Sequence, residues 1–189
     1  MRFFAHAAAL ALLSTAALAD PAAAPSGALA EKILGHQLKP DDNYACFARI
    51  YDARHLGRHP HQNVVEALLF MTADGSQSEG ALFEFAFRFR GDRKLHFGES
   101  ICALGESESG QPHVSCNAPC DGGGIGDISV DGPAKARLRL SRGVADAAAG
   151  SPDVPPLALK SDDRVFDLTR APLARCSRFH HSQALGSGI

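Results

Sequence analysis

The sequence of 189 residues contains no tryptophan and only two tyrosines, and 11 phenylalanines supply most of its aromatic side chains. It also lacks an excess of positive charge, since 19 lysines and arginines stand against 21 aspartates and glutamates. This balance argues against nucleic acid and anionic membrane surfaces as partners, because both bind through basic excess. With 45% hydrophobic and 21% charged residues, the composition is that of a folded domain.

Long apolar runs are missing except at the start of the chain. Arg2 provides a positive charge, an apolar stretch follows over residues 5–17, and Ala17-Leu18-Ala19 matches a small-residue cleavage site. The stretch is shorter than the roughly 20 residues that a membrane-spanning helix needs. We therefore expect residues 1–19 to be a cleaved signal peptide, the mature protein to be periplasmic or secreted, and no stable membrane insertion after cleavage.

Hydrophobic periodicity divides the remaining chain into three parts. Residues 20–43 combine a linker composition with a helical pattern over residues 28–38. Residues 44–178 change to a period of two, which predicts a single β-rich domain, and residues 179–189 have the composition of a flexible tail.

The clearest strand pattern places Phe83, Phe85, Phe87 and Phe89 at alternate positions, so all four would line one face of a sheet. Short strands of this kind recur with turn residues between them and little helix, which predicts a mainly β fold. We expect an antiparallel β-sandwich or a small β-barrel with one short N-terminal helix and disulfide bonds. The predicted strands cover residues 44–52, 64–72, 81–90, 95–104, 126–130, 136–141 and 164–168.

All five cysteines follow the predicted signal peptide, and an exported protein is expected to oxidise them in pairs. Cys46 opens the first strand and Cys176 follows the last, so a bond between them would enclose nearly the whole domain and stabilise it by about 2–5 kcal/mol. Any two of Cys102, Cys116 and Cys120 could form the second pair, which leaves one cysteine over. Zinc at the short Cys116/Cys120 spacing is the alternative, although zinc ribbons use two such spacings.

Three histidines, His55, His59 and His61, fall within the predicted connection between the first two strands. Neutral imidazole nitrogens are good ligands for zinc, copper and nickel, but the spacing fits no standard zinc motif. The structural alternative is that His55 and His59 hydrogen-bond the backbone and brace the connection, while His61 faces solvent. Our main expectation is that no cofactor is bound, with zinc or copper at these three histidines as the alternative.

A glycine-rich segment, Gly122–Gly124, follows Asp121. Its backbone N–H groups could form an anion-binding nest, although a Walker lysine and a following helix are missing. The structural alternative is a bulge or tight corner held by a disulfide. A thiol nucleophile at Cys116 or Cys120, with His113 or a histidine of the connection between the first two strands as its base, is a further hypothesis, which requires a lowered thiol pKa and a base within reach.

Several motifs together resemble a family of exported proteobacterial proteins for which no activity is assigned. The resemblance covers residues 44–176 and implies that they form one unit. It also implies that the His-Pro connection and the Cys-Asp-Gly-Gly-Gly corner belong to a common pattern, with His61 outside it. The motifs are Cys46-Phe47-Ala48-Arg49-Ile50-Tyr51-Asp52, His55-Leu56, His59-Pro60, Gln62, Cys120-Asp121-Gly122-Gly123-Gly124, Asp162-Asp163-Arg164-Val165-Phe166-Asp167-Leu168 and Cys176.

These observations predict an exported β-rich domain of the cell envelope that binds a ligand or protein, or serves a structural role, without performing chemistry. Transition-metal binding and a thiol-dependent hydrolase are the two alternatives. We assign no catalytic residues. The candidate ligand-binding residues are Arg49, Tyr51, Asp52, His55, His59, Asp121, Gly122, Gly123 and Gly124.

Overall fold

The computed structural model of the protein describes residues 26–40, 43–73, 81–98, 101–117, 124–141 and 159–179. The predicted signal peptide, Cys120, residues 121–123 and the tail from residue 180 onwards lie outside these ranges. Within them the fold is mainly β, as predicted. The elements in chain order are α1 (Ser26–Leu34), β1 (Tyr44–Ile50), α2 (Ala53–Arg58), β2 (Val64–Ala73), β3 (Ala81–Phe89), β4 (His96–Gly98), β5 (Ile101–Glu106), β6 (Pro112–Asn117), β7 (Gly124–Asp131), β8 (Lys135–Leu140), β9 (Val165–Arg170) and a 3-10 helix (Leu173–Cys176).

The nine strands in the described ranges form one antiparallel sheet in the order β4-β3-β2-β1-β9-β8-β7-β6-β5. β4 and β5 therefore lie at opposite ends of the sheet although only two residues separate them in the chain. A connection of this length spans roughly 11 Å at most, so the sheet has to curl until its ends face each other. The Sγ atom of Cys102 in β5 accordingly lies 3.9 Å from the carbonyl oxygen of Phe83 in β3.

Two sequence predictions need correction, and two elements were not predicted. The strand predicted over residues 95–104 is two strands, β4 and β5, at opposite ends of the sheet. Alternation identifies the faces of a strand and not its neighbours, so the pattern could not reveal this break. β6 and the short helix α2 were not predicted, and the N-terminal helix predicted over residues 28–38 begins and ends earlier, at Ser26–Leu34.

The inside of the curl holds the main hydrophobic core. Phe83, Phe85, Phe87 and Phe89 are all buried there, which confirms the predicted phenylalanine face. Phe87 contacts Phe166 of β9 with 5.1 Å between ring centroids, so the core connects distant strands of the sheet. This interior is packed with side chains.

α1 packs its apolar face into the same core. Leu29 and Ile33 are buried, and both recur at the helical spacing that the sequence displays. Arg170 at the end of β9 donates to the carbonyl oxygens of Ile33 (3.2 Å) and Tyr44 (3.3 Å), while its guanidinium lies 5.4 Å from the ring centroid of Phe47. Arg170 thus ties the end of α1 to β1 and β9.

The segment after β9 covers the outer face of β1 and β2. The predicted disulfide Cys46–Cys176 is confirmed and fastens this segment to β1. Phe179, which the sequence assigned to the tail, is buried and stacks on Phe70 of β2 at 5.5 Å. The C-terminal segment is therefore part of the folded body as far as Phe179.

A salt-bridge triad holds the same segment at a second point. Glu66 of β2 accepts two hydrogen bonds from Arg88 of β3, at 2.9 and 2.7 Å, and lies 3.2 Å from the Nε atom of Arg175. Glu66 is only 6% exposed, so two guanidinium groups compensate a carboxylate that has lost most of its water.

A second disulfide joins Cys102 to Cys116, which occupy opposite positions of β5 and β6. It is one of the three pairings that the sequence left open. Two disulfides in one small domain indicate an oxidising, extracytoplasmic compartment. None of the helices in the described ranges is both long and apolar enough to cross a membrane.

Candidate functional site

The candidate site lies where β1 and β9 separate. These strands share the pairs Phe47–Arg170 and Ala48–Thr169, and within the described residues their pairing ends there, although β1 continues beside β2 to Ile50. The separation opens a cleft of about 320 Å³ between the end of β1, the α2 connection and the start of β9. The cleft is lined by Arg49, Tyr51, His55, His59, Gln62, Asp162, Val165 and Asp167.

The α2 connection begins with a side-chain cap. The Asp52 carboxylate accepts a hydrogen bond from the backbone N–H of His55 at 2.7 Å, which satisfies one of the free N–H groups at the start of the helix. Asp52, predicted as a ligand-binding residue, therefore orients α2 and does not line the cleft. A helix of six residues that includes Gly57 was too short for its periodicity to predict it.

Four side chains at the end of β1 and along the α2 connection form a continuous stack. The guanidinium carbon of Arg49 lies 5.2 Å from the ring centroid of Tyr51. The Tyr51 and His55 centroids are 4.6 Å apart, and the His55 and His59 rings stack at 4.4 Å with 21° between their planes. The negative face of a tyrosine ring attracts a cation. The Tyr51 ring therefore holds the Arg49 guanidinium in place.

Gln62 fixes His55 within this stack. Its amide Nε2 donates to the Val64 carbonyl oxygen at 2.9 Å, so its Oε1 faces the Nε2 atom of His55 at 3.0 Å and accepts from it. This arrangement requires a hydrogen on Nε2 of His55, and neutral His55 then carries its lone pair on Nδ1. Because Gln62 is buried, the orientation of the His55 ring is set from the protein interior.

Arg90 braces the backbone of the connection. Its Nε atom donates to the Gln62 carbonyl oxygen at 2.7 Å, and its Nη2 atom donates to the carbonyl oxygens of Leu56 (2.8 Å) and His59 (3.0 Å). The Leu56 and His59 carbonyl oxygens also accept from backbone N–H groups, so Arg90 adds a second hydrogen bond to each. The sequence did not single out Arg90, which is the last residue of the strand predicted over residues 81–90.

Asp163 braces the connection from the other end of the chain. Its side chain is fully buried and accepts from the backbone N–H groups of Asn63 (2.9 Å), Val64 (3.0 Å) and Lys160 (2.9 Å). Three N–H donors compensate the buried carboxylate and join the start of β2 to the segment before β9. From the sequence, Asp163 was named only as part of the family motif, which does not reveal these contacts.

The charges of the cleft are unevenly compensated. Asp167 accepts from the Nε atom of Arg137 at 2.6 Å. Arg49 is exposed, and no carboxylate in the described part of the chain forms an ion pair with it. Burial raises the pKa of the Tyr51 phenol above its ordinary value, while nearby Arg49 partly opposes this shift. Tyr51 therefore stays neutral at physiological pH.

A larger groove of about 770 Å³ adjoins the cleft on the outer face of β6–β9. Arg49 and Asp167 line both, so the two are continuous. The groove is rich in hydroxyl, amide and basic side chains. They are Ser107, Ser109, Gln111, His113, Ser129, Lys135, Arg137 and Thr169. The carboxylate residue Asp131, which lies opposite Lys135 across β7 and β8, also lines the groove.

The structure brings together four of the predicted ligand-binding residues, Arg49, Tyr51, His55 and His59. Gly124 is placed elsewhere: it opens β7, which β8 and β9 separate from β1, and it pairs with Asn117 beside a register irregularity in β6. This observation fits the predicted bulge better than a ligand site. Residues 121–123 lie outside the described ranges.

The predicted metal ligands His55, His59 and His61 are not assembled as a metal site. His55 and His59 stack face to face, and Nε2 of His55 already donates to Gln62. In the part of the chain that the structure describes, no group of three or more His, Cys, Asp or Glu side chains is arranged to hold a metal ion. Cys116, a predicted thiol nucleophile, is bonded to Cys102 and has no thiol in this state.

We also compared the chain with protein families, curated proteins and solved structures. No family model, no curated protein and no solved structure matches it. The resemblance of its motifs to an exported family therefore stays a prediction, and a function has to be argued from the chemistry of the cleft.

Proposed function

We propose that this protein is an exported, non-catalytic binding domain that holds an acidic ligand at Arg49. The observation that carries the proposal is an exposed guanidinium, at the junction of a cleft and a groove, that has no carboxylate partner among the described residues. A guanidinium is a planar fork of N–H donors that fits a carboxylate or a phosphate with two parallel hydrogen bonds.

The surroundings of Arg49 support binding because they hold its side chain before a ligand arrives. Tyr51 lies under the guanidinium, His55 lies under Tyr51, and Gln62 orients His55 from the interior. A side chain already held in place loses less conformational entropy when a ligand binds, and affinity rises accordingly. In this view Tyr51, His55 and Gln62 position Arg49, which contacts the ligand.

The state of the cysteines favours binding over thiol catalysis. The described cysteines are paired in disulfides, which removes the thiol nucleophile considered for Cys116. Nε2 of His55 donates to Gln62, so this histidine has a positioning role in the stack. The predicted signal peptide and the two disulfides together support a periplasmic or secreted protein that meets its ligand in the cell envelope.

Thermal denaturation with acidic and neutral probes tests this function. Galacturonate and inorganic phosphate present the two acid groups that Arg49 could bind, and galactose is the neutral counterpart of galacturonate. At a hundred times its dissociation constant a ligand adds about 2.7 kcal/mol to the free energy of unfolding. We expect at least one acid to raise the melting temperature at constant ionic strength, while galactose does not.

Two variants decide whether the effect belongs to Arg49. Arg49→Gln should abolish the stabilisation. Arg139→Gln removes the same charge from the outer face of β8, at a residue that lines neither the cleft nor the groove, and should retain it. Equal stabilisation of wild type and Arg49→Gln, or none by either acid, would contradict the proposal.

A further inference from the structure

We infer that the ligand is an acidic oligosaccharide that runs from the cleft into the adjoining groove and is held by a second basic residue, Lys135. This inference rests on the proposed function and adds the class of the ligand and a second contact point. The cleft alone is at the small end of the range of ligand sites, which spans about 300–1,000 Å³. The shared walls at Arg49 and Asp167 make a longer site of the cleft and the groove.

Lys135 provides the second positive charge. It is exposed on the outer face of β8, lines the groove and, like Arg49, forms no ion pair with any carboxylate in the described ranges. The third basic residue of the groove, Arg137, is already neutralised by Asp167. Two basic groups, Arg49 and Lys135, are therefore available to bind acid groups of a ligand.

The sheet sets the distance between the backbone positions that carry these two groups. Lys135 lies opposite Thr169, and Thr169 lies opposite Ala48, the residue before Arg49. Adjacent strands are spaced at about 4.8 Å, so the backbones at Lys135 and Ala48 are about 10 Å apart across three strands. A single sugar acid can engage one of these basic groups, whereas a chain of sugar acids can engage both.

The groove between the two basic groups suits hydroxyl-rich ligands. Ser129, Thr169 and Gln111 offer donors and acceptors of the kind that sugar hydroxyls need. An acidic peptide that binds by adding a strand would need an open sheet edge. Here the floor is the face of β7, β8 and β9, whose backbone groups already pair with each other.

Titration calorimetry with galacturonate, its dimer and its trimer tests the inference on the oxidised protein. We expect the trimer to bind at least tenfold more tightly than the monomer, since it reaches both basic groups. Lys135→Gln should remove this gain and leave monomer binding unchanged. Arg139→Gln, the matched change four residues along the same face of β8, should leave both affinities unchanged.

The outcomes separate this inference from the proposed function. If the monomer binds through Arg49 but the trimer binds no more tightly, or if Lys135→Gln retains the gain, the extended site is wrong and the proposed function stands. If tri-glutamate shows the same gain with length and the same loss in Lys135→Gln, the ligand class is wrong. If no acid binds in an Arg49-dependent way, both proposals fail.

Discussion

The ring of Tyr51 lies between Arg49, the proposed binding residue, and His55. It is also half-buried, and burial is the main cause of its raised pKa. Loss of the phenol proton would place a negative charge in this partly desolvated position, next to the carboxylates of Asp163 and Asp167. Titration of Tyr51 therefore reports directly on the integrity of the cleft.

We expect Tyr51 to ionise above the ordinary tyrosine pKa of about 10. Because its pKa is higher in the folded protein than in the unfolded chain, its contribution to stability is complete below pH of about 10. That contribution is lost as the pH rises through the raised folded-state pKa. The chain has two tyrosines and no tryptophan, so the tyrosinate absorbance of wild type minus that of Tyr51→Phe isolates this group. A midpoint at or below 10 in the difference curve would contradict the burial of Tyr51.

The sequence predicted which residue types meet in the cleft but not the hydrogen bonds that hold them there. Arg49, Tyr51, His55 and His59 were predicted because the family motifs contain them at the end of the first strand and in the connection that follows it. Gln62 entered only as part of a family motif, because nothing in a sequence shows that an amide donates to a backbone carbonyl and accepts from an imidazole. Arg90 was not identified, since its contacts depend on how strands fold back.

Close approach between two strands explains why one position of the sheet is a glycine. Gly126 of β7 packs against β8, and a Cβ atom at this position would overlap the carbonyl oxygen of Arg139. Gly57 in α2 is the opposite case, because an added Cβ there would meet no atom of the described residues within 4 Å. The two glycines therefore form a matched pair for substitution.

We predict that Gly126→Ala lowers the free energy of unfolding by about 1–3 kcal/mol, because β7 and β8 have to move apart. Gly57→Ala should instead be neutral or raise it by up to about 1 kcal/mol, since alanine is the better helix former. Urea denaturation of both variants measures the difference. Equal effects from the two substitutions would show that the close contact between β7 and β8 is not maintained in solution.

Strands were predicted well where apolar and polar residues alternate strongly along the chain. The phenylalanines of β3 indicated the correct face of the correct strand, and most of the other strands begin and end within a few residues of the predicted positions. β6 was missed because its pattern of Val114 and Cys116 among polar residues is short and weakly apolar. The order of the strands was beyond prediction, because pairing partners depend on contacts between distant residues.

The sheet consists of two runs of sequential strands, β1–β4 and β5–β9. They are joined by the short β1–β9 pairing, and the disulfide between Cys46 and Cys176 reinforces the same junction. The two disulfides enclose loops of very different length, with separations of 130 residues for this bond and 14 for Cys102–Cys116. Their contributions to stability should differ accordingly.

We expect Cys46→Ala/Cys176→Ala to lose about 5 kcal/mol of stability and Cys102→Ala/Cys116→Ala to lose about 3 kcal/mol, from the entropy of loop closure in the unfolded chain. Replacing both partners of each bond avoids new thiols at these positions. Denaturation of the two double variants under oxidising conditions measures both values. The reverse order would mean that β1 and β9 are held together mainly by packing of the C-terminal segment and not by the cross-link.

The β1–β9 junction also determines at what stage of synthesis the proposed binding site can form. One wall of the cleft comes from the region around Arg49, and Asn63 behind that wall donates to Asp163, which follows 100 positions later. A chain synthesised from its N-terminus presents the arginine and the imidazoles long before the opposite wall has been translated. A ligand that contacts both walls of the proposed site should therefore bind the complete protein. It should bind neither the growing polypeptide nor a prematurely terminated product.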